Sequence, residues 1–341
     1  MKESSEDLLE KKSLEIHKKV GFVVTHADTL LDVAGKSRSL GMRSDKGHVD
    51  IPRMIEGKVN VMIFAAWCSP SPYFETEYQN RIEHTPLKRA LQLIDAFYLE
   101  LEKNKDTLAF ATKYSDVVEA NKDGKIAAML SIEGGEALEG KLEALRLFYR
   151  LGLRSICLTW NPRNEIADGV GELRTNSILT NFGVNVVKEM NKLGMVIDLS
   201  HITEAAFFDV LDLSNQPVIL SHSNAYSVCN HIRNATDKQI KALADKGGVI
   251  GINFAPSFLS KDQATIEVVL DHIDYIIRLV GIDYVGIGTD FDGIDHAPIG
   301  LEDVSKLPNI TKGLIKRGYS DEDVRKILGE NFLRVFKKVI G

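Results

Sequence analysis

Two histidines that close the same short pattern carry the strongest chemical signal in this sequence. The run MVIDLSH ends at His201, and the run PVILSH ends at His222, 21 residues later. Both runs are apolar and rich in β-branched residues, which is typical of buried strands, and the segment between them has helical spacing. Two imidazoles are therefore expected at the same ends of neighbouring parallel strands, where they can act as metal ligands or as acid–base groups.

A third histidine and three carboxylates close other apolar runs in the same way. GFVVTHADTL carries His26 and Asp28, KIAAMLSIEGG carries Glu133, and DYVGIGTDFDG carries Asp290. Imidazole nitrogens and carboxylate oxygens without a thiolate suit Zn²⁺ or another borderline divalent ion. The set exceeds what one tetrahedral ion needs, so we expect two ions with a shared carboxylate, which would activate water and polarise a carbonyl group. The alternative is that these residues are unconnected polar caps at strand ends.

The elements that must position these residues alternate regularly along the chain. Eight apolar runs are predicted to be strands separated by segments with helical spacing, including a long helical region over about residues 82–120. This pattern predicts a single (β/α)₈ barrel over residues 1–341, with a helical extension at about 1–19 and C-terminal helices at about 302–339. The carboxyl ends of barrel strands form one rim, so we expect the candidate ligands to meet there.

Two connecting segments need a separate interpretation. CSPSPYFETEYQ follows the second strand and is long enough to help cover a site. GEALEGK, residues 135–141, matches the glycine and lysine positions of a phosphate-binding loop, but Leu142 replaces the hydroxyl residue that would hold Mg²⁺. Glu136 and Glu139 would also repel phosphate. We therefore interpret this match as coincidence and expect its glycines to bend the chain after the strand.

Composition and charge narrow the range of partners. Hydrophobic residues make up 44% and charged residues 26% of the chain, with a net charge of −6. No Lys and Arg run is interleaved with aromatic residues, which argues against nucleic acid and favours a small-molecule substrate. Cys68, Cys157 and Cys229 are widely spaced and are predicted to be buried free thiols. The sequence has no transmembrane-length, secretory or lipid-anchor pattern, so we expect a cytoplasmic protein without a membrane partner.

The motifs taken together resemble a known family. The sequence resembles the membrane dipeptidase (renal dipeptidase) family of zinc peptidases, in particular its shorter bacterial members, from about residue 20 to residue 336. The order and spacing of these motifs make the resemblance highly specific. The motifs are HAD at 26–28, SIEGGEAL at 131–138, LTWN at 158–161, ADG at 167–169, IDLSH at 197–201, SHSN at 221–224, RNATD at 233–237, GGVIGINF at 247–254 and GIGTDFDG at 286–293.

The resemblance implies a binuclear zinc barrel that hydrolyses dipeptides, often as a homodimer. Carried over by motif, His26 and Asp28 hold one zinc ion, and His201 and His222 hold the other. Glu133 bridges the two ions and is thereby part of the catalytic machinery. Co²⁺ or Mn²⁺ are possible substitutes for zinc.

The resemblance also implies roles for residues that are not metal ligands. Arg233 would bind the free carboxylate of the dipeptide, a role that suits the fork geometry of guanidinium, and Asp290 would carry the proton. Two positions depart from the family pattern. Trp160 replaces a histidine that contacts the substrate in mammalian members, and Ala255 replaces a tyrosine of many relatives. Both bear on substrate preference and rate.

Two other functions remain open at this stage. A different metal hydrolase on the same barrel, such as an amidohydrolase, deaminase or lactonase, typically begins with His-x-His on the first strand. Here the third position is Asp28, which favours the dipeptidase. A non-catalytic metal-binding protein is the alternative of another class, and Asp290 argues against it because a binding module needs no proton carrier.

Overall fold

The chain forms a closed parallel barrel in the computed structural model, which describes residues 5–68, 85–172 and 174–341. The strands are β1 (Phe22–Ala27), β2 (Val59–Trp67), β3 (Leu108–Phe110), β4 (Ile126–Glu133), β5 (Leu153–Cys157), β6 (Val196–Asp198), β7 (Ile219–Ser223), β8 (Val249–Asn253) and β9 (Val285–Phe291). Their order is β2-β1-β9-β8-β7-β6-β5-β4-β3, and pairing of β2 with β4 closes a ring of eight strands that leaves β3 outside. The predicted (β/α)₈ architecture is confirmed.

Helices connect the strands and cover the outside of the ring. None of the helices in the described ranges is long and apolar enough to cross a membrane. The helices are α1 (Ser5–His17), α2 (Leu30–Ala34), α3 (Ile51–Glu56), α4 (Pro86–Lys103), α5 (Tyr114–Lys122), α6 (Leu142–Arg150), α7 (Asn181–Leu193), α8 (Glu204–Leu213), α9 (Asp237–Asp245), α10 (Pro256–Leu259), α11 (Ile266–Val280), α12 (Pro308–Lys316), α13 (Asp321–Arg325) and α14 (Asn331–Ile340).

The long helical region predicted over about 82–120 is wrong in its middle. After α4 ends at Lys103, β3 pairs with the start of β4, from Leu108 opposite Ile126 to Phe110 opposite Ala128. Three residues are too few to show a strand period in the sequence, and the pairing that holds them involves a separate segment. The predicted covering loop lies, beyond Cys68, outside the described residues.

The barrel interior is apolar and is closed at the amino-terminal ends of the strands by α14. Val23, Val61 and Ile219 come from β1, β2 and β7, yet they belong to one buried cluster that includes Phe332 of α14. Side chains from opposite sides of a ring can share a cluster only inside it. A Cβ added at Gly286, near the start of β9, would lie 2.6 Å from the Phe332 ring. The carboxyl-terminal rim is therefore the end at which a site can form.

Small residues let three strands approach closely just below that rim. A Cβ added at Gly251 or Gly288 would lie 2.3 or 2.4 Å from the carbonyl oxygen of Ser221. The hydroxyl of Thr25 donates to the same carbonyl oxygen over 2.7 Å, from across the barrel. The backbone immediately before His222 is therefore held at a defined depth in the barrel.

Local turn chemistry follows the sequence closely. A capping box of Thr236 and Gln239 begins α9, and one of Ser320 and Asp323 begins α13. Gly134, which follows β4, has a φ of +95°, and the next four residues form a buried 3₁₀ turn. This left-handed conformation suits glycine and turns the chain away from the rim directly after Glu133.

Candidate metal centre

The six candidate residues meet at the carboxyl-terminal rim. Glu133 is the last residue of β4, and His26, His222 and Asp290 are each the last residue but one of β1, β7 and β9. His201 follows β6 by three residues. Their side chains, with that of Asp28, form three overlapping groups in which the ligand atoms of each group lie within 4.8 Å of one another. The grouping expected from strand-end positions is thus the grouping that the fold produces.

Glu133 lies at the centre, and its two carboxylate oxygens face different partners. Oε1 is 2.9 Å from Nε2 of His201 and 3.4 Å from Nε2 of His222. Oε2 is 3.4 Å from Nε2 of His26, which is itself 3.3 Å from Oδ2 of Asp28. All five side chains are buried. This arrangement divides the set into two halves, each of which uses one oxygen of the same carboxylate.

The half around His201 and His222 brings acceptor atoms together. Nδ1 of His201 donates to the side-chain oxygen of Asn161 over 2.8 Å, so Nε2 of that ring carries a lone pair. That nitrogen lies 2.9 Å from Nε2 of His222 and 2.9 Å from Oε1 of Glu133. Lone pairs that converge at such distances in a buried place are satisfied by a cation. The donor set therefore fits a divalent metal ion, and the neutral imidazoles suit zinc.

The three imidazoles differ in the direction in which their surroundings shift the pKa. Burial lowers the pKa of His201 to about 3 and, with the nearby charge of His26, holds the pKa of His222 well below its usual range. Burial also disfavours charge on His26, but the carboxylates of Glu133 and Asp28 outweigh it and raise its pKa. Two imidazoles are thus neutral at physiological pH, and the third faces two carboxylates, where a cation is strongly favoured.

Asp290 stands over the cluster on a strained backbone. Thr289, Asp290 and Asp292 have φ values of +73°, +69° and +67°, a region that non-glycine residues occupy at a cost and most often at functional sites. The side chain of Asn253 donates to Oδ2 of Asp290 over 2.8 Å. Burial raises the pKa of Asp290 to about 7, with His26 opposing this shift. Such a carboxyl group can accept and release a proton near neutral pH.

A second network, which sequence reasoning missed, holds the segment after Asp290. Asp292 accepts hydrogen bonds over 2.6 Å from the hydroxyl of Thr29 and from the guanidinium of Arg38, and its own N–H donates to His48 over 3.0 Å. The only sequence signal was a second aspartate in the GIGTDFDG motif. Asn161, the partner of His201, was also missed as a site residue, although it closes the LTWN motif.

A cavity of about 270 Å³ opens above the cluster. Its floor carries Glu133 and Asp290, and its wall is largely aromatic and aliphatic. Trp67 and Trp160 pack edge to face there, with ring centroids 5.1 Å apart. The residues that complete the apolar wall are Leu31, Ala255, Phe258 and Ile294. A small molecule with both polar and apolar parts would fit this space.

Arg233 is almost completely buried on the β7 side of the site. It is 5% exposed, and its guanidinium donates to the carbonyl oxygen of His222 over 3.1 Å and lies 5.5 Å from the centre of the Phe258 ring. Its Nε has no hydrogen-bond partner in the part of the chain that the structure describes. Buried donors are rarely left unpaired, so this guanidinium has capacity for a further acceptor.

Comparison with known proteins identifies the family. A family model described as membrane dipeptidase (Peptidase family M19) matches residues 10–340. The dipeptidase tcpJ of Claviceps purpurea is 36% identical over 296 residues, which cover 86% of this chain and 69% of that protein. A dipeptidase of Schizosaccharomyces pombe is 37% identical over 302 residues, covering 85% and 72%.

A solved structure agrees with this result. The metallopeptidase of Rhodobacter sphaeroides, liganded with a phosphinate mimic of the dipeptide L-Ala-D-Ala, superposes with a TM-score of 0.86 at 30% identity and covers 94% of this chain and 99% of its own. The resemblance expected from the motifs is confirmed. The chain belongs to the membrane dipeptidase family, and it is a metal-dependent dipeptidase.

Proposed function

We propose that this enzyme uses two zinc ions to hydrolyse dipeptides that carry a free C-terminal carboxylate. In this proposal His26 and Asp28 hold one ion, His201 and His222 hold the other, and Glu133 bridges them. The observation that carries the proposal is that the two carboxylate oxygens of Glu133 face different histidines. Oε2 faces His26, and Oε1 faces His201 and His222. Co²⁺ or Mn²⁺ could occupy the same donor set.

The position of Arg233 supports a defined orientation for the substrate. Arg233 follows β7, and Trp67 ends β2, which lies four strands away in the ring of eight and therefore directly opposite. A carboxylate bound by the free donor of this guanidinium would direct the N-terminal residue of the dipeptide across the centre, towards Trp67 and Trp160. Trp160 is thus a substrate-binding residue in this proposal, and its ring would contact an apolar part of the substrate.

Asp290 is the group that handles the proton. When bound, the ions supply an activated water and a polarised carbonyl group. Asp290 accepts the proton of the attacking water and returns it to the leaving amine, which leaves poorly unless it is protonated. The hydrogen bond from Asn253 holds the carboxyl group over the centre, where it can reach both the attacking water and the leaving amine.

The cellular setting is also part of this proposal. Cys68, Cys157 and Cys229 are all buried free thiols, which suits a reducing compartment, and we assign the enzyme to the cytoplasm. The family resemblance supports a homodimer. Light scattering on the purified enzyme tests the dimer, since a single 37.9 kDa species would contradict it.

Elemental analysis of the Glu133→Gln variant tests the central claim. Wild-type enzyme should carry about two zinc ions per chain and cleave dipeptides. Glu133→Gln should lose at least one ion, because a neutral amide cannot bridge two cations, and its activity should collapse. Glu136→Gln is the matched control, since it makes the same change three residues away and outside the centre. Full metal content together with full activity in Glu133→Gln would rule out the bridging role.

A further inference from the structure

The serines of the two Ser-His motifs converge on one buried carboxylate. Asp198, the last residue of β6, is 3% exposed. Its Oδ1 accepts from the N–H and the hydroxyl of Ser200, over 3.0 and 2.9 Å, and from the N–H of Ser221 over 3.0 Å. Its Oδ2 accepts from the hydroxyl of Ser221. The carboxylate thus acts only as an acceptor, and it is fully satisfied.

The hydroxyl of Ser221 connects this carboxylate to an imidazole. Its oxygen lies 2.7 Å from Nδ1 of His222. A hydroxyl has one proton, and that proton points to Asp198, so the oxygen of Ser221 must accept the proton on Nδ1 of His222. Nε2 of His222 is therefore the unprotonated nitrogen, and it is the one that faces Glu133 and His201.

The geometry points to Asp198 and Ser221 as positioning residues that set the tautomer and orientation of His222 for metal binding. This inference rests on the proposed assignment of His222 as a zinc ligand. The chain from Asp198 through Ser221 to His222 keeps the proton on Nδ1, presents the Nε2 lone pair to the ion, and places negative charge behind the ring, which strengthens the ligand.

The two histidines of this half are supported differently. His201 donates to the neutral amide oxygen of Asn161, whereas His222 is linked to a full negative charge through Ser221. The hydroxyl of Ser200 also binds Asp198, and it accepts the backbone N–H of His222 over 3.2 Å, but these bonds do not involve the ring of His201. The hydroxyl of Ser200 also lies 3.4 Å from that of Ser221, but of the two serines only Ser221 is hydrogen-bonded to an imidazole.

This difference supplies a matched pair of variants, Ser221→Ala and Ser200→Ala, in the full-length zinc enzyme. Zinc affinity would be measured by chelator competition, which gives a stepwise dissociation constant for the loss of each ion. In Ser221→Ala the affinity for one ion should fall about 10- to 100-fold, the usual effect of losing an outer partner of a ligating histidine, and the other ion should be retained. Ser200→Ala should change neither affinity by more than about threefold. Equal losses of zinc affinity in both variants would contradict a specific role for the chain from Asp198 through Ser221 to His222, and would indicate that Asp198 has a general structural role.

A spectroscopic test examines the tautomer itself. In Asp198→Asn an amide N–H would donate to the oxygen of Ser221, which would then turn its own proton towards Nδ1 of His222 and force the proton of the ring onto Nε2. In ¹⁵N-histidine spectra of the zinc-loaded enzyme, wild type should show His222 protonated at Nδ1 and ligated through Nε2. Asp198→Asn should lose this signature of His222, while the ¹⁵N signals of His26 should remain as in wild type.

The outcomes also separate this inference from the proposed function. If Ser221→Ala and Asp198→Asn keep wild-type zinc affinity and the His222 signature, while Glu133→Gln loses metal, Asp198 and Ser221 do not position His222. The proposed binuclear dipeptidase is then unaffected. If wild type holds no zinc, or Glu133→Gln holds its full complement, the proposed metal centre itself fails. Melting temperatures of all variants identify any loss of metal that is caused by unfolding.

Discussion

Glu136 should lower the stability of this enzyme at neutral pH, and Glu136→Gln should remove that cost. The side chain lies in the 3₁₀ turn directly after β4 and is 6% exposed. Among the described residues, neither carboxylate oxygen has a hydrogen-bond partner of good geometry. Burial raises the pKa of Glu136 from 4.5 to about 7, with smaller opposing contributions from its own backbone and from Asn164. Glutamine has nearly the same shape and cannot ionise.

The size and sign of the effect follow from linkage between protonation and folding. Below pH 4.5 both the folded and the unfolded chain carry a protonated Glu136, so the residue costs nothing there. As the pH rises to about 7 the unfolded chain ionises while the folded chain does not, and stability is lost. A tenfold change in an ionisation constant is worth about 1.4 kcal/mol, so moving the pKa from 4.5 to about 7 costs about 3 kcal/mol above pH 7.

Urea denaturation of wild type and Glu136→Gln at pH 4.5, 6 and 8 measures this cost. The two proteins should have nearly equal midpoints at about pH 4.5, and the variant should be more stable by about 3 kcal/mol at about pH 8, at an unchanged slope. Glu102→Gln, on the exposed face of α4, is the control and should show no pH-dependent difference. A difference between Glu136→Gln and wild type that does not grow with pH would refute the reasoning.

Three further predictions concern the site and the barrel. Asp290→Asn should lower kcat by about 10²- to 10⁴-fold in steady-state assays at unchanged zinc content, because the proton acceptor is lost; near-normal turnover would exclude this role. Arg233→Lys should raise KM for dipeptides because ammonium cannot form the bidentate pair, and wild type should cleave a C-terminal dipeptide amide poorly; equal turnover of acid and amide would exclude the assignment. Phe332→Ala should cost about 3 to 5 kcal/mol in urea denaturation, because this ring is fully buried at the closed end of the barrel; a cost below about 1 kcal/mol would show that α14 does not seal it.

Most of the barrel could be predicted from the sequence because each of its long strands is a continuous apolar run that can be recognised without knowing its partners. The apolar run before Glu133 and the apolar run before His222 are buried on both sides, so they lack polar alternation and stand out from the helices between them. Leu108–Phe110 could not be found in this way, since its strand conformation depends on hydrogen bonds to Ile126 and the residues that follow. Pairing between distant segments leaves no periodic trace in so short a run.

The candidate site was predictable as a set of residue types and not as a set of bonds. Strand-end position indicated His26, Glu133 and His222, because a parallel barrel brings all carboxyl ends to one rim. The sequence contains nothing that assigns one oxygen of Glu133 to each side. Asn161 and Asp292 were missed because their hydrogen-bond partners are far away in the chain. The partner of Asn161 is 40 residues away, and those of Asp292 are between 244 and 263 residues away. Such contacts depend on the path of the loops.

The sequence by itself determined the architecture, the ligand chemistry and the family, since these depend on local patterns: apolar runs, residue types at their ends, and motifs in a specific order. The tertiary structure alone decided which atoms meet. The repeated Ser-His motif illustrates the difference, because Ser200 and Ser221 have the same local setting and, of the two, only Ser221 is hydrogen-bonded to a histidine ring. Distances of about 3 Å between residues far apart in the chain are set by closure of the barrel. These contacts also determine which nitrogen of each imidazole is free to bind a metal ion.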